Sequence, residues 1–242
     1  MLTHFSYSSE LTERFPDLHS LTVHVRGVNA AADVTSTVDE HLAKARALLQ
    51  EHQTESNLPS VQAWRAAYRA TGTDPTKFRM AAESILRRLR STGEFSRNLH
   101  PLVLVCNALS ARFAVPVAAL DCDRIEGALQ VRNTSEAVRY EAFDGATATL
   151  AAGEVTFVDA AGNAHARKWS HKQSARSAVS AATQSAFVVC EALHRSGKAE
   201  LSELEALLTD AISLHWPMSE VSSQHLFANG LARGADVSFQ PR

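Results

Sequence analysis

The sequence of 242 residues has few cysteines, no long hydrophobic run and no leader pattern. The three cysteines, Cys106, Cys122 and Cys190, are odd in number and show no C-x-x-C spacing, which argues against a disulfide scaffold. No apolar run approaches the roughly 20 residues that cross a bilayer, and residues 1–6 lack the basic region and apolar core of a signal peptide. We therefore expect a cytoplasmic protein with reduced thiols and no membrane partner.

Metal-binding patterns are scarce as well. The eleven histidines form neither an H-x-H nor an H-E-x-x-H pattern, and the scattered cysteines do not have zinc-site spacing. We therefore predict no metal and no cofactor. With 45% apolar and 21% charged residues, the composition is that of an ordinary globular protein, and the length suffices for one large core.

Positive charge is concentrated in two segments of an otherwise acidic chain. Residues 77–97 contain six Lys or Arg and two Glu, and residues 167–176 contain four Lys or Arg and no acid. Each segment carries +4, and because the formal net charge is −2, the remainder of the chain carries −10. Such a distribution would admit a polyanion in one orientation, and ordinary solvated surface is the alternative interpretation.

The first basic segment is predicted to lie on a helix that follows a turn at residues 74–75. Thr76 is a candidate N-cap, and Gly93 stands where a left-handed C-cap would end the helix. Apolar residues at steps of three and four form one stripe along it, namely Phe78, Ala81, Ala82, Ile85, Leu86 and Leu89.

Helices are also predicted in other regions. A capping box at Thr37 opens a helix to about His52, and Pro101 favours a helix over a strand for residues 99–109. Apolar spacing predicts three more helices, at residues 61–68, 179–194 and 201–214. Residues 1–18 are expected to form a packed arm and residues 216–242 a loosely docked tail.

Strands are predicted at residues 19–26 and then throughout residues 115–169. The candidates in the second region are residues 117–120, 128–132, 148–150, 155–159 and 164–169. The turn at residues 160–163 predicts a hairpin between the last two of them. This succession of helices, strands and helices indicates an α+β fold.

Several segments, taken together and in order, carry a resemblance to one family. They are Trp64-x3-Tyr68, Asp74-Pro75-Thr76-Lys77-Phe78-Arg79 with Glu83 and Arg87-Arg88, Leu104-Val105-Cys106-Asn107, Pro116-Val117-Ala118-Ala119-Leu120-Asp121, Asp123-Arg124-Ile125-Glu126-Gly127, Gly153-Glu154-Val155-x3-Asp159, and Trp169-x2-Lys172-Gln173-Ser174 with Thr183. The chain resembles a freestanding B3/B4 domain protein, similar to the editing module of the bacterial phenylalanyl-tRNA synthetase β subunit.

The resemblance implies both an architecture and a division of the chain. The fold would be a B3/B4-type α+β fold, in which a β-sandwich-like sheet core is flanked by helices. Residues 58–195 would form this core, residues 1–57 a strand-and-helix extension packed on it, and residues 196–242 a C-terminal helix and tail.

The resemblance also implies a function. In the synthetase, this module accepts the 3′ end of a mischarged tRNA and hydrolyses the aminoacyl ester. An ester to a ribose hydroxyl is already reactive, so a site that positions water beside the carbonyl supplies much of the acceleration. The implied function is therefore that of a trans-acting aminoacyl-tRNA deacylase that binds the 3′ acceptor end of tRNA, with no DNA partner.

The sequence departs from the synthetase at two positions. Ala118 stands where the synthetase module has its pocket histidine, and Ala178 stands near its glutamate, which contacts the tyrosine hydroxyl of the wrong amino acid. A pocket without that acceptor should not favour tyrosine in the same manner, because recognition of a buried hydroxyl depends on its partner.

The residues expected to carry the function fall into three groups. The predicted catalytic residues are Asn107, Lys172, Gln173 and Ser174, where Lys172 would bind phosphate or polarise the ester carbonyl and the next two would orient water. The predicted substrate-binding residues are Arg79, Glu83, His171 and Thr183. The predicted RNA-binding residues are Lys77, Arg87, Arg88, Arg90, Arg167 and Lys168.

Structural roles compete with several of these assignments. Arg79 and Glu83 are four residues apart and could simply form an intrahelical pair. The aromatic residues Trp64, Tyr68 and Trp169 could stack on the terminal adenine or pack in the core.

Two other functions remain open from the sequence. The missing histidine and glutamate favour a non-catalytic tRNA- or RNA-binding module of the same fold. A pocket for a free amino acid or another small molecule would make the basic helices incidental. The sequence does not specify the amino acid, the tRNA or the oligomeric state.

Overall fold

The computed structural model describes residues 1–227 and the backbone of residues 237–238. Six α-helices lie in this part of the chain: α1 (Ser9–Arg14), α2 (Thr35–His52), α3 (Pro59–Ala70), α4 (Ala81–Thr92), α5 (Pro101–Phe113) and α6 (Gly197–His215). None of these helices has the length and hydropathy of a bilayer-spanning segment.

The strands of the described residues form two larger sheets and a short hairpin. They are β1 (Leu2–Tyr7), β2 (His19–Arg26), β3 (Val117–Asp121), β4 (Gly127–Asn133), β5 (Val138–Glu141), β6 (Thr147–Leu150), β7 (Val155–Asp159), β8 (Asn163–Ala164), β9 (Ala166–Arg167), β10 (Lys172–Gln173), β11 (Ser185–Ala192), β12 (Glu220–Phe227) and β13 (Val237–Ser238). Sheet A has the order β13-β1-β4-β7-β8-β5-β6, sheet B has the order β12-β2-β11-β3, and β9 pairs with β10.

The two sheets share one hydrophobic core. The ring of Phe5 on β1 lies 5.1 Å from that of Phe187 on β11 and 6.1 Å from that of Phe157 on β7. Helices α5 and α6 pack on sheet B, and α2 and α4 pack on α5. The chain therefore has the predicted α+β fold, with a sandwich-like pair of sheets flanked by helices.

Several predicted elements are confirmed with small changes at their ends. The helix predicted to end near His52 does so, but it begins at Thr35, and Val34 takes the N-cap position. The Thr37 side chain instead contacts His215, with Oγ1 2.8 Å from Nε2. The predicted hairpin at residues 160–163 joins β7 and β8, which pair antiparallel.

The helix of the first basic segment begins later than predicted. Thr76 is not its N-cap, because Asp74 accepts the Thr76 amide on Oδ1 (2.8 Å) and closes a local turn. Met80 has an extended backbone at the N-cap position, and α4 begins at Ala81. Gly93 ends the helix in the left-handed conformation, as predicted, with φ at 72°.

The prediction of a helix at residues 179–194 is wrong, because this region contains strand β11. β11 pairs antiparallel with β2 on one side and β3 on the other, and it is buried from Ala186 to Ala192. A short apolar run that is covered on both faces has no alternating pattern, so its period does not distinguish a strand from a helix.

Three further expectations are corrected by strand pairing. The predicted single strand at residues 164–169 is broken into β8 and β9, after which Lys168 and Trp169 adopt positive φ values of 48° and 63°. The arm at residues 1–18 contains β1 and α1, and the predicted tail contributes β12, which pairs with β2. The tail residues 228–236 and 239–242 lie outside the described residues.

Each sheet contains strands from all three predicted segments of the chain. Sheet A includes β1, β4 and β13, and sheet B includes β2, β11 and β12. The division at residues 57 and 195 stays a prediction.

Candidate functional site

A cavity of about 410 Å³ lies between α4, α5, β3, β11 and the β9–β10 hairpin. Its buried walls are largely apolar and include Val117, Leu120, Phe157 and Val189. Its polar and charged lining residues are Ser84, Arg88, Asn107, His165, Ser170, His171, Lys172, Gln173 and Glu191. An apolar cavity with a few converging polar groups is the usual form of a ligand site.

The β9–β10 hairpin turn is anchored in the core by Trp169. Its ring lies 5.0 Å from that of Trp64 and 5.2 Å from that of Phe15. The adjacent Ser170 carbonyl accepts a hydrogen bond from the Ala81 amide (2.8 Å) at the start of α4. These contacts hold the residues that follow, 171–173, against the cavity.

The two aromatic residues of α3 are also part of the core. Trp64 and Tyr68 are fully buried, as is Trp169. The core-packing alternative is therefore correct for Trp64 and Tyr68, whereas Trp169 packs in the core and also lines the cavity.

Glu154 organises the same turn from the side of β7. It accepts hydrogen bonds from the Arg167 guanidinium (2.7 Å) and the Lys168 amide (2.8 Å), and Lys168 Nζ lies 3.0 Å from its Oε2. The left-handed conformation of Lys168 is thus held by contacts around it, as strained backbone near functional sites usually is.

His171 lies in the cavity wall with a defined tautomer. Its Nδ1 is 2.7 Å from the Arg79 carbonyl oxygen and must donate the hydrogen bond, so in the neutral ring Nε2 carries the lone pair. Burial lowers the pKa of His171, which keeps the ring neutral near pH 7. Nε2 has no hydrogen-bond partner among the described residues.

Most of the cations in the two basic segments are neutralised. Of their ten Lys and Arg side chains, seven form ion pairs: Arg79 with Glu83, Arg87 and Arg90 with Glu55, Arg97 with Asp39, Arg167 and Lys168 with Glu154, and Arg176 with Glu126 and Glu141. The RNA-binding role of Arg87, Arg90, Arg167 and Lys168 stays a prediction, and it would compete with these pairs.

The remaining three cations are Lys77, Arg88 and Lys172, which have no carboxylate partner among the described residues. Lys77 is exposed and sits 5.3 Å from the ring centre of Phe78. Arg88 and Lys172 are both exposed and line the cavity. Two of the three uncompensated cations of the basic segments therefore lie at the cavity.

Two of the predicted catalytic residues supply amide side chains to the cavity. Asn107 on α5 is half-buried and makes no side-chain hydrogen bond with the described residues. Gln173 on β10 donates from Nε2 to the Ala119 carbonyl (2.8 Å), which links the hairpin to β3. Asn107, with His171 and Lys172, is thus available to a ligand.

Ser174 and Thr183 have structural contacts instead. Ser174 is fully buried, donates to the Glu141 carbonyl (3.0 Å) and accepts from the Arg176 amide (3.2 Å). Thr183 is buried and donates to Asp121 Oδ2 (2.6 Å). Neither is a lining residue of the cavity.

Arg79 and Glu83 form the ion pair that their spacing predicted, with Arg79 Nε 3.7 Å from Glu83 Oε1. Arg79 precedes α4, so the pair spans the start of the helix. Glu83 is buried and also accepts from Arg65 Nε (3.2 Å). The two residues act on the cavity indirectly, because the Arg79 carbonyl orients His171.

Glu191 and Phe143 are cavity residues that the sequence analysis missed. Glu191 on β11 is 3% exposed, and it accepts hydrogen bonds on Oε1 from the Tyr7 hydroxyl (2.8 Å) and Trp169 Nε1 (2.9 Å). Burial raises its pKa to about 7. Phe143, between β5 and β6, is 69% exposed. The run Val188-Val189-Cys190-Glu191-Ala192, a single acid in an apolar stretch, was the available signal for Glu191.

His165 lies in the same buried wall, but its ring is fully engaged. Nδ1 is 2.8 Å from Ser177 Oγ, and Nε2 is 3.1 Å from Asp159 Oδ2. All three side chains are buried. The array resembles a Ser-His-Asp triad, but Ser177 is inaccessible and its role here is structural.

Ala118 and Ala178 lie at the positions where the resemblance predicts a histidine and a glutamate. Ala118 on β3 lines the cavity, so this wall has no imidazole there. The accessible imidazole comes from His171 on the hairpin instead. Within the described residues, no group of three or more His, Cys, Asp or Glu side chains is arranged to hold a metal ion.

Comparisons with known proteins agree with this architecture. The family model of the B3/4 domain matches residues 63–211, more than half of the chain. The fold is similar to the crystal structure of an N-terminal fragment of the phenylalanyl-tRNA synthetase β-subunit from Pyrococcus horikoshii, with a TM-score of 0.51 and 8% identity over 91% of this chain. The match covers 50% of that fragment, so this chain spans about half its length. A comparison with curated proteins gives no match. The chain belongs to the B3/4 domain family.

Proposed function

We propose that the protein is a trans-acting aminoacyl-tRNA deacylase, which hydrolyses the ester of a mischarged amino acid at the 3′ acceptor end of tRNA. Its family membership and its similarity to a fragment of a tRNA synthetase subunit support an association with tRNA. The chemistry of the cavity supports the hydrolysis.

The observation that carries the proposal is the position of His171 in the cavity wall next to Lys172, with Nδ1 held by the Arg79 carbonyl. With Nδ1 donating to the Arg79 carbonyl, Nε2 is able to take a proton from a water molecule. The water oxygen then attacks the ester carbonyl carbon. Collapse of the tetrahedral intermediate breaks the bond between the carbonyl carbon and the ribose oxygen. The ribose oxygen takes the proton and becomes a hydroxyl, and the free amino acid is released.

Lys172 and Asn107 are the cavity residues suited to the developing oxyanion. Both carry N–H donors that no described residue occupies. Donors that are already oriented toward developing charge make a large contribution to catalysis. Water and the ester supply every atom of this step.

The approach to the cavity suits the end of a nucleic acid. Arg88 lines the cavity and has no carboxylate partner among the described residues, so it is the cation for a terminal phosphate. Phe143 is an exposed ring at the same cavity and can stack on a base. The apolar interior, with Val117, Phe157 and Val189, suits the side chain of the esterified amino acid.

The test is deacylation of a panel of mischarged tRNAs by the purified protein and by His171→Ala, Lys172→Ala and Asn107→Ala. We expect hydrolysis of one or a few pairs, and a loss of roughly 10²- to 10⁴-fold for His171→Ala, which is the usual contribution of a general base. Lys44→Ala, an exposed lysine on α2, is the matched control and should keep full activity.

Two results would contradict the proposal. Salt-sensitive tRNA binding without hydrolysis of any pair would indicate a non-catalytic binding module. A protein that neither binds tRNA nor hydrolyses any mischarged tRNA would contradict the association with tRNA itself.

A further inference from the structure

Ser170 is a cavity residue whose hydroxyl group is held by a buried tyrosine. It is half-buried and lines the cavity at the β9–β10 turn, and its Oγ lies 3.0 Å from the Tyr68 hydroxyl oxygen. Tyr68 is fully buried, and its hydroxyl forms a hydrogen bond with no other side chain among the described residues. This single contact therefore decides where the protons of both hydroxyl groups lie.

The Tyr68 hydroxyl is the donor in this pair. Burial raises the pKa of Tyr68, so the phenol keeps its proton at neutral pH. A buried hydroxyl whose proton has no acceptor is costly to the fold, and Ser170 Oγ is the acceptor within reach. The proton of the Ser170 hydroxyl then has no acceptor among the described residues. It is available to a ligand in the cavity.

The backbone at Ser170 is fixed by its neighbours. Its carbonyl accepts a hydrogen bond from the Ala81 amide at the start of α4 (2.8 Å). The preceding residue, Trp169, is buried in the core and has a positive φ of 63°. The Ser170 donor is therefore oriented before a ligand binds, whereas Asn107 and Lys172 have no partner among the described residues that orients their side chains.

The surroundings of Ser170 Oγ argue against a role as a nucleophile. A serine nucleophile needs a base that takes its proton. Among the described residues, no imidazole or carboxylate forms a hydrogen bond with Ser170 Oγ. Nδ1 of the adjacent His171 is bound to the Arg79 carbonyl instead. The contacts of Ser170 are those of a hydrogen-bond donor.

We propose that Ser170 is a further catalytic residue, whose hydroxyl donates to the carbonyl oxygen of the ester and to the oxyanion that this oxygen becomes in the tetrahedral intermediate. Tyr68 is a positioning residue that holds this donor in place. The Ser170 proton stays on Oγ throughout the step, and the hydrogen bond strengthens as negative charge develops on the carbonyl oxygen. This inference rests on the proposed function, in which the ligand is an aminoacyl ester.

The experiment measures kcat and KM for the mischarged tRNA that the wild type hydrolyses fastest, in Ser170→Ala, Tyr68→Phe and the double variant. We expect Ser170→Ala to lower kcat by about 10²-fold with KM changed less than about threefold, the pattern of an interaction made in the transition state. Tyr68→Phe should lower kcat by about tenfold or less, the range of one neutral hydrogen bond. The double variant should match Ser170→Ala, because Tyr68 acts through Ser170.

Ser84→Ala is the matched control. Ser84 on α4 is also half-buried and lines the same cavity, but no side chain among the described residues holds its hydroxyl. This variant should keep the wild-type kcat. A wild-type kcat in Ser170→Ala, or equal losses in Ser84→Ala and Ser170→Ala, would overturn the inference and leave the deacylase proposal intact. Additive losses in the double variant would overturn the role of Tyr68.

If the wild type hydrolyses no mischarged tRNA, the deacylase proposal fails and binding decides the inference. The probes are 3′-leucylamino-3′-deoxyadenosine, which has an amide carbonyl, and 3′-amino-3′-deoxyadenosine, which has no acyl group. By calorimetry, Ser170→Ala should bind the first probe about three- to tenfold more weakly than the wild type, as expected for one lost hydrogen bond, and the second probe equally well. Equal binding of the first probe by both proteins, or no binding, would overturn the inference.

Discussion

Asp159, at the end of β7, and Glu191, one residue before the end of β11, are two buried carboxyls with opposite surroundings. Asp159 accepts hydrogen bonds from the amides of Glu126 (3.2 Å), Ala161 (3.0 Å) and Asn163 (2.9 Å), from the Asn163 side chain, and from His165. Glu191 accepts two, both on the same oxygen.

The two pKa values move in opposite directions for this reason. Burial opposes the ionisation of Asp159, but the hydrogen bonds from His165, Asn163 and the Glu126 amide outweigh it and hold its pKa well below the usual range. Burial dominates at Glu191 and raises its pKa to about 7. Burial alone therefore does not set the pKa of a carboxyl, since the number of hydrogen-bond donors decides the direction of the shift.

The largest effect is expected from Asp159→Ala. The substitution leaves several buried donors without an acceptor, and we expect it to lower the free energy of unfolding by about 3–4 kcal/mol. Urea denaturation at pH 7 measures the loss. Asp159 stabilises the fold above its unfolded pKa and loses this contribution as the pH falls, so the deficit should shrink in acid.

Asp159→Asn is the control for that variant, because it keeps one oxygen acceptor and should be less destabilising. A loss below about 1 kcal/mol in Asp159→Ala would mean that the donors around Asp159 find other partners.

In contrast to Asp159→Ala, Glu191→Gln should gain stability relative to the wild type as the pH rises. Below pH 4.5 the carboxyl is protonated in both states, and as the pH rises to about 7 it ionises first in the unfolded chain. This difference destabilises the wild type by about 3 kcal/mol at pH 8. The stability of Glu191→Gln relative to wild type should therefore rise by about that amount between pH 4 and pH 8. If the difference in unfolding free energy between Glu191→Gln and the wild type is constant with pH, the raised pKa of Glu191 is contradicted.

The smallest effect is expected from Tyr7→Phe, which removes one of the two donors on Glu191 Oε1. The hydroxyl also contacts Ser20 Oγ (2.9 Å), so the substitution removes two hydrogen bonds and should lower the free energy of unfolding by about 2 kcal/mol. Because this hydrogen bond lowers the Glu191 pKa, NMR titration of the carboxyl should give a higher value in the variant.

Tyr140→Phe makes the same chemical change at a residue that donates to the Gln173 carbonyl (3.2 Å). It should leave the Glu191 titration unchanged. If the Glu191 carboxyl titrates in Tyr7→Phe as it does in the wild type, the Tyr7 hydroxyl does not contribute to the pKa of Glu191.

The parts of the site that lie on short local patterns could be predicted from the sequence. His171, Lys172 and Gln173 follow Trp169 within one hairpin, and Asn107 is a polar residue in an apolar helix. All four line the cavity. Ser174 continues the same run of polar residues, but the chain turns there and the hydroxyl caps a short 3-10 helix.

Apart from the Arg79–Glu83 pair, the ion pairs of the basic segments could not be predicted, because their partners are distant in sequence. Glu55 neutralises Arg87 and Arg90, which are more than 30 residues away. Charge counting therefore overestimated the basic surface: within the described residues, Arg88 and Lys172 are the cavity-lining cations of the two segments that lack a carboxylate partner.

Local physical chemistry in the sequence determined the α+β class, the C-cap at Gly93 and the polar run of the β9–β10 hairpin. These features depend on backbone preferences and on the period of apolar residues, which act within a few neighbours. Only the tertiary structure decided that β11 is a strand between β2 and β3 and that Glu191 reaches the cavity. Pairing between distant strands and the burial of a carboxyl depend on the whole fold, because both arise from contacts that no local pattern encodes.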